Sequence, residues 1–280
     1  MILAIDLGSY NIKTSEGKMF ISTFQRGGSL NPFGETILKY NGQEYTMFKG
    51  SFDNEYDKSA KDYIPNLLLA IYKSVPKNTT NIDLVLGVPV DNIEITKNFK
   101  EQLLGKTFRW SVNGKERVIT INRFATIGEG ISSFYTLDKE TRKKPIIIID
   151  IGGRTVNVIV FQKGRMIDKF TIPKGCIDLY DDIAARVNTK GKRYKAEQVY
   201  DLIERGIITN TEKEEKEFVR YIMNEISRKV DIDLYEPWFT GGGSLALERY
   251  LDTLDGNIMS DPLYSNVQGN KIIAKLQWRD

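Results

Sequence analysis

A strand, an Asp-x-Gly step, a second strand, a tight turn and a third strand open this chain, and the same arrangement restarts past its middle. Met1 to Asp6 is an apolar run broken by Gly8. Ile12 to Ser15 follows, turns at Glu16-Gly17 and returns as Lys18–Phe24. After a charged break at Arg142-Lys143-Lys144-Pro145, Ile146 to Asp150 runs into Gly152-Gly153. Thr155–Phe161 then alternates up to Lys163-Gly164, and Arg165–Ile172 comes back. Recurrence of a whole unit of this kind implies two related halves rather than one unrepeated domain.

The segments between the repeats alternate strands with helices. Thr36–Tyr40 and Gln43–Phe48 flank Asn41-Gly42, a hairpin signal. Asp62 to Val75 puts Ile64, Leu67, Leu68, Ile71 and Val75 on one helical face. Ile82–Val88, stopped by Pro89, suits a buried strand. Asn92–Leu104 predicts a helix, Phe108–Val112 and Arg117–Ile121 a hairpin about Asn113-Gly114, and Glu129–Leu137 a short helix. The second half predicts helices over Asp178–Val187, Lys195–Arg205 and Glu212–Val230; in the last, Phe218, Ile222, Ile226 and Val230 form a core stripe. Trp238–Thr240 reads as a strand running into Gly241-Gly242-Gly243, with helices over Leu245–Leu251 and Lys271–Leu276.

Composition removes several chemistries. The 280 residues include no histidine, which excludes a Ser-His-Asp triad, imidazole acid–base catalysis and His-ligated metals. Cys176 is alone, which excludes an intrachain disulfide and a Cys-cluster zinc site, and it reads as a small core or loop residue. A net charge of +3 argues against a dedicated polybasic nucleic-acid binder. Lys190 to Lys195 is locally basic and reads first as a solvated loop, with DNA or a neighbouring subunit as the alternative contact. Met1–Asp6 is too short for a signal peptide, and no run approaches the roughly 18 apolar residues of a membrane span. The expectation is a cytoplasmic protein without direct membrane contact.

Three constellations carry chemistry. In Asp6-Leu7-Gly8-Ser9-Tyr10-Asn11-Ile12-Lys13, a glycine turn brings backbone N–H groups close to phosphate oxygens. Ser9 and Asn11 can add donors, Lys13 a positive charge, and Asp6 a carboxylate for hydrated Mg²⁺. Alone, such a hairpin is more often just a turn. Asp150-Ile151-Gly152-Gly153-Arg154-Thr155 offers the same chemistry from the second half, and paired hairpins of this kind can grip a triphosphate across a cleft. Gly241-Gly242-Gly243-Ser244, between a strand and a helix, is either a flexible loop or a place of close backbone approach that suits a nucleotide's sugar and α-phosphate.

In this order and at these strand ends, the three constellations resemble those of the actin fold shared by actins, heat-shock chaperone ATPases and sugar kinases. Within that group the chain resembles the bacterial plasmid-segregation actins, the ParM and AlfA family. Asp6-x-Gly8-Ser9-x-Asn11-Ile12-Lys13 looks like the family's first phosphate loop, and Ile82–Pro89 like a strand of its first domain. Asn266-Val267-Gln268-Gly269-Asn270 resembles the Asn-x-x-Gly return into that domain.

The resemblance implies an α/β, actin-like fold: two RNase H-like halves around a nucleotide cleft. Residues 1–140, with 258–280 returning to them, would form domain I and residues 141–257 domain II. It implies ATP, with GTP as the alternative, bound with Mg²⁺ held through water by Asp6 and Asp150. Tyr10 would lie within the first phosphate loop. In Gly128-Glu129-Gly130, Glu129 resembles the residue that positions the attacking water; its plain alternative is a helix-start glutamate. Glu204 resembles the residue that holds the ribose hydroxyls, or is an ordinary exposed glutamate. Arg154 departs from the Thr or Gly of many relatives and either adds charge near the γ-phosphate or faces solvent. Gly128 stands where Pro is frequent.

The function implied is a polymerising nucleotidase whose filaments segregate plasmid DNA through a DNA-binding adaptor on the plasmid centromere. The rivals are a small-molecule kinase of the same superfold and a scaffold that binds nucleotide without turnover. Type III pantothenate kinases share the Asp-x-Gly opening, but their Arg-Pro-Gly-x-Asp-Arg segment is absent, as are the cysteines of the zinc-binding sugar kinases. Three helices crowd the stretch between Gly175 and Gly241, so the extra subdomain of longer relatives, IIB, is expected to be missing or vestigial, as in AlfA.

Overall fold

The computed structural model describes residues 1–28, 34–53, 59–89, 93–189 and 191–278. They cluster into two units, residues 1–136 with those from Asn266 on, and Leu137–Ser265.

The first unit begins with β1 (Ile2–Leu7), β2 (Asn11–Thr14), β3 (Met19–Ile21), β4 (Phe24–Arg26), β5 (Ile37–Tyr40) and β6 (Gln43–Met47). Then come α1 (Ile64–Ser74), β7 (Asn81–Val88), α2 (Ile93–Leu103), β8 (Thr107–Val112) and β9 (Lys115–Gly128). The nine strands form one sheet, ordered β3-β2-β1-β7-β9-β8-β5-β6-β4. β1, β7 and β9 are parallel neighbours, and β2 folds back antiparallel on β1. Leu3, Ala4, Ile5, Leu84, Val85 and Leu86 are fully buried, as continuous apolar runs in strands covered on both faces should be. Leu67 to Ile71 of α1 are buried without a gap, so the helix is covered all round rather than on one face.

The expected Lys18–Phe24 strand is corrected to two pieces. It stops at Ile21 because Ser22 turns to the first loop, its N–H donating to the Tyr10 carbonyl (2.9 Å) and its Oγ to that of Ser9 (2.6 Å). Phe24 then starts β4, which pairs with β6. β9 runs seven residues past the expected end at Ile121 because its second half finds β7 as a parallel partner. The expected helix over Glu129–Leu137 is a turn followed by one 3-10 turn, Ser133–Thr136. Gly130 takes φ +76°, outside helical geometry, and the Ser132 and Ser133 hydroxyls donate to Asn266 instead of serving a helix. Asn92, the expected start of the preceding helix, lies outside the described residues.

The second unit contains β10 (Ile146–Ile151), β11 (Val156–Gln162), β12 (Arg165–Ile172), α3 (Cys176–Asn188), α4 (Ala196–Glu204) and α5 (Glu212–Ser227). β13 (Glu236–Thr240), α6 (Gly242–Ala246), α7 (Glu248–Leu251) and β14 (Asn257–Ile258) complete it, and α8 (Ser265–Gln277) follows. Its sheet is ordered β12-β11-β10-β13-β14. β10 is antiparallel to β11 and parallel to β13, and β13 is parallel to β14. Strand for strand this repeats β3-β2-β1-β7-β9 in order and direction.

The helix expected over Leu245–Leu251 is two, because the backbone leaves helical angles at the fully buried Leu247 (φ −111°, ψ 8°). The helix expected over Lys271–Leu276 starts six residues earlier, at Ser265. Its polar Asn266, Gly269 and Asn270 are the buried side of the first turns, which hid the helix from an apolar periodicity. Between α3 and α5 the described residues hold α4 alone, packed on α3 through Tyr180 and Tyr200 (ring centroids 6.3 Å apart).

Candidate functional site

In the first unit, the chain leaves β1 at Asp6 and Leu7, turns at Gly8 and re-enters as β2 at Asn11. A Cβ on Gly8 would stand 2.4 Å from the Asn11 carbonyl oxygen, so only glycine closes this turn. Register places Lys13 opposite Asp6, and Lys13 Nζ lies 4.0 Å from Asp6 Oδ2. Both side chains are largely buried, which holds a carboxylate and an ammonium at the strand end. Tyr10 packs its ring on Phe52 (4.8 Å between centroids).

Sequence reasoning missed Lys61. Its Nζ donates to Ser9 Oγ at 2.9 Å, and it lines an open pocket of about 180 Å³ with Gly8, Ser9, Asp53 and Asn66. The contact spans 52 positions, and no local spacing signals it.

In the second unit, Asp150 is the penultimate residue of β10 and is buried, and Gly152 N–H donates to the Thr155 carbonyl at 2.9 Å to close the hairpin. The start of α3 braces this loop: Cys176 N–H donates to the Gly152 carbonyl (3.0 Å) and Ile177 N–H to that of Gly153 (2.8 Å). A Cβ on Gly175 would stand 2.5 Å from the Gly153 carbonyl carbon, so hairpin and helix touch backbone to backbone. Arg154 is half-buried, and its charge acts on Asp181 of α3. Partial desolvation raises the Asp181 carboxyl above its ordinary value, and the guanidinium draws it back down.

The three glycines after β13 meet the Asp150 hairpin directly. A Cβ on Gly241 (φ +81°) would stand 2.4 Å from Asp150 Oδ1 and 2.5 Å from the Ile151 carbonyl oxygen. On Gly243 it would stand 2.2 Å from Ile151 Cγ2 and 2.6 Å from Cys176 Sγ. Close approach is therefore real at both positions, but the neighbour is the chain itself. Gly242, half-buried, meets nothing nearer than Leu263 Cδ2 at 3.8 Å.

Glu129 is 7% exposed in the turn after β9, its N–H donating to the Val88 carbonyl at 2.8 Å. Glu204 ends α4, exposed, beside Tyr200, whose hydroxyl is raised first by desolvation and then by the Glu204 charge. The Asn188 carboxamide closes the following loop by bonding both backbone groups of Tyr194 (2.8 Å each); Lys190, the start of the expected basic stretch, lies outside the described residues.

Taken separately, the Asp6 and Asp150 carboxylates each have the chemistry that a hydrated Mg²⁺ takes. Among the described residues no three carboxylates cluster into a protein cage. Mg²⁺ instead keeps most of its waters and takes one or two carboxylates, and Asp6 and Asp150 each offer one hard oxygen donor at a strand end.

Residues 4–131 match the family model of actin-like protein N-terminal domains. The whole chain superimposes on Ta0583, an archaeal actin homologue, with TM-score 0.82 and 18% identity, covering 98% of this chain and 99% of that one. The chain therefore has the actin-like fold. A ParM of Clostridium botulinum, solved as a 15-stranded filament, gives TM-score 0.82 and 19% identity over 98% of this chain and 99% of its own. AlfA, solved as a filament bound to AMPPNP, gives 0.64 and 17% over 99% and 97%. Ta0583 has also been solved in complex with ADP. No curated protein matches the sequence. Among the described residues no helix is long and apolar enough to cross a membrane.

Proposed function

We propose that this actin-like protein binds ATP or GTP with Mg²⁺, hydrolyses it to the diphosphate, and assembles with its own copies into filaments that move plasmid DNA through a DNA-binding adaptor. The observation that carries this is the repetition of one five-strand pattern in both units, each with an Asp-Gly hairpin after its first long strand. Two such hairpins acting on one nucleotide would give the phosphates backbone N–H donors from Gly8–Asn11 and Gly152–Thr155, with Lys13 as a counter-charge. Asp6 and Asp150 would hold Mg²⁺ through water; the ion, when bound, neutralises charge on the phosphate oxygens. Glu129 orients the attacking water by accepting its hydrogen bond. Gly241 to Gly243 take the adenosine and Glu204 the ribose hydroxyls.

The filaments of the ParM and AlfA relatives and the ADP complex of Ta0583 support this reading. With α4 alone between α3 and α5 among the described residues, subdomain IIB is proposed to be missing or reduced. Filament contacts then come from elsewhere, or the strands bind each other more strongly.

The test is light scattering and pelleting of the purified protein with and without Mg-ATP or Mg-GTP, with phosphate release followed in parallel. Nucleotide-dependent pelleting with phosphate release is expected. Turnover that needs a small-molecule acceptor and forms no polymer would favour the kinase, and binding without phosphate release the scaffold.

A further inference from the structure

α8 presents two asparagines to the Glu129 turn. Asn266 and Asn270 are four residues apart and share one face of the helix. Asn266 Oδ1 accepts from Gly130 N–H (2.8 Å), Ser133 Oγ (2.7 Å) and Ser132 Oγ (3.3 Å). Gly269 lets the helix lie against the turn, since a Cβ there would stand 1.9 Å from the Ser132 carbonyl oxygen. These contacts account for the path of the turn and need nothing from Asn270.

Asn270 is nonetheless fully buried, and neither its Oδ1 nor its Nδ2 has a hydrogen-bond partner among the described residues. Buried carboxamides are nearly always paired, so one that is not calls for a role. Its surroundings suggest which. A Cβ on Gly87, near the end of β7, would stand 3.6 Å from Asn270 Nδ2, 3.6 Å from Glu129 Cγ and 3.8 Å from Glu129 Oε1. Carboxamide and carboxylate thus flank one point, over a residue that has no side chain to fill it.

We infer that Asn270 is a positioning residue for Glu129. The inference rests on the proposal that Glu129 orients the attacking water. The Asn270 amide N–H holds the Glu129 carboxylate, through one bridging water, in the orientation that accepts the nucleophile's hydrogen bond. A carboxamide suits this task because it donates without carrying charge. A lysine in its place would neutralise the carboxylate and spend its accepting capacity.

The test is a double-mutant cycle of Asn270→Leu and Glu129→Gln, read by single-turnover hydrolysis of prebound nucleotide, nucleotide Kd and Tm. Misorienting a catalytic group costs about 10- to 100-fold, so N270L should slow hydrolysis by that factor, with Kd within about twofold. Its Tm should hold or rise, because the substitution also removes a buried unpaired amide. The double variant should be no slower than E129Q alone, since the two residues act as one unit. Unchanged hydrolysis in N270L, or effects that multiply in the double variant, would overturn the inference. A lowered Tm with unchanged hydrolysis would also overturn it, by assigning Asn270 to structure. Should N270L not fold, Asn270→Ser carries the same comparison. A wild-type protein that binds nucleotide but releases no phosphate would defeat the hydrolysis reading itself, whereas active wild type with indifferent N270L defeats only this inference.

Discussion

Gly242 and Gly243 sit side by side in α6, yet only one has room for a side chain. Gly243→Ala should cost about 1–3 kcal/mol by overpacking against Ile151 and Cys176, seen as a drop in Tm. Gly242→Ala should leave Tm unchanged or raised, since alanine is the better helix former, while weakening nucleotide binding measured by fluorescence titration. Equal loss of Tm in both would contradict this division. Asp150→Ala should cut phosphate release by about 10²–10³-fold, the scale of losing one transition-state contact; near wild-type turnover would sink the two-loop reading. Arg154→Gln should push the Asp181 carboxyl further up, checked by carboxyl NMR titration. A raised native value means the folded state holds that proton more tightly, so this group's contribution falls as pH climbs above the ordinary carboxylate range. The variant should extend that window to higher pH. The glycine run was legible as a site of close approach, but which glycines meet the chain and which has room beside it was not. The deciding neighbours, Ile151 and Cys176, lie far off in sequence.

Elements were legible where a local signal sets them. The Asn41-Gly42 and Asn113-Gly114 turns place both asparagines at φ +48°, as the tight turn requires. They were less legible where a distant partner decides: β9 continues past Ile121 because β7 lies alongside, and the Glu129 turn is held by α8. The helix expected at Glu129 failed for that reason, and Lys61 was invisible for the same one. The correction sharpens what Glu129 should do. In a turn that α8 also holds in place, Glu129→Ala should still bind nucleotide, yet hydrolyse it slowly. Filaments, once formed, should persist longer, as time-resolved light scattering would register. Unchanged lifetime beside much slower hydrolysis would count against coupling.

At the scale of the molecule, the doubled strand pattern was readable because both copies carry it in contiguous sequence, Asp6 in one and Asp150 in the other. Surfaces that join copies into a filament have no such signature, being patches assembled from many elements.

The turn that carries Glu129 is secured by a residue 136 positions downstream of Gly130. The second unit is one continuous stretch, whereas the first must wait for α8. At ribosomal rates of about 5–20 residues per second, some 7–27 seconds separate synthesis of the turn from arrival of its clamp. A nascent chain therefore displays both Asp-x-Gly hairpins well before the turn that carries Glu129 is clamped. On the proposed function, the order of synthesis would make hydrolysis the last competence acquired, after the second unit can already have folded.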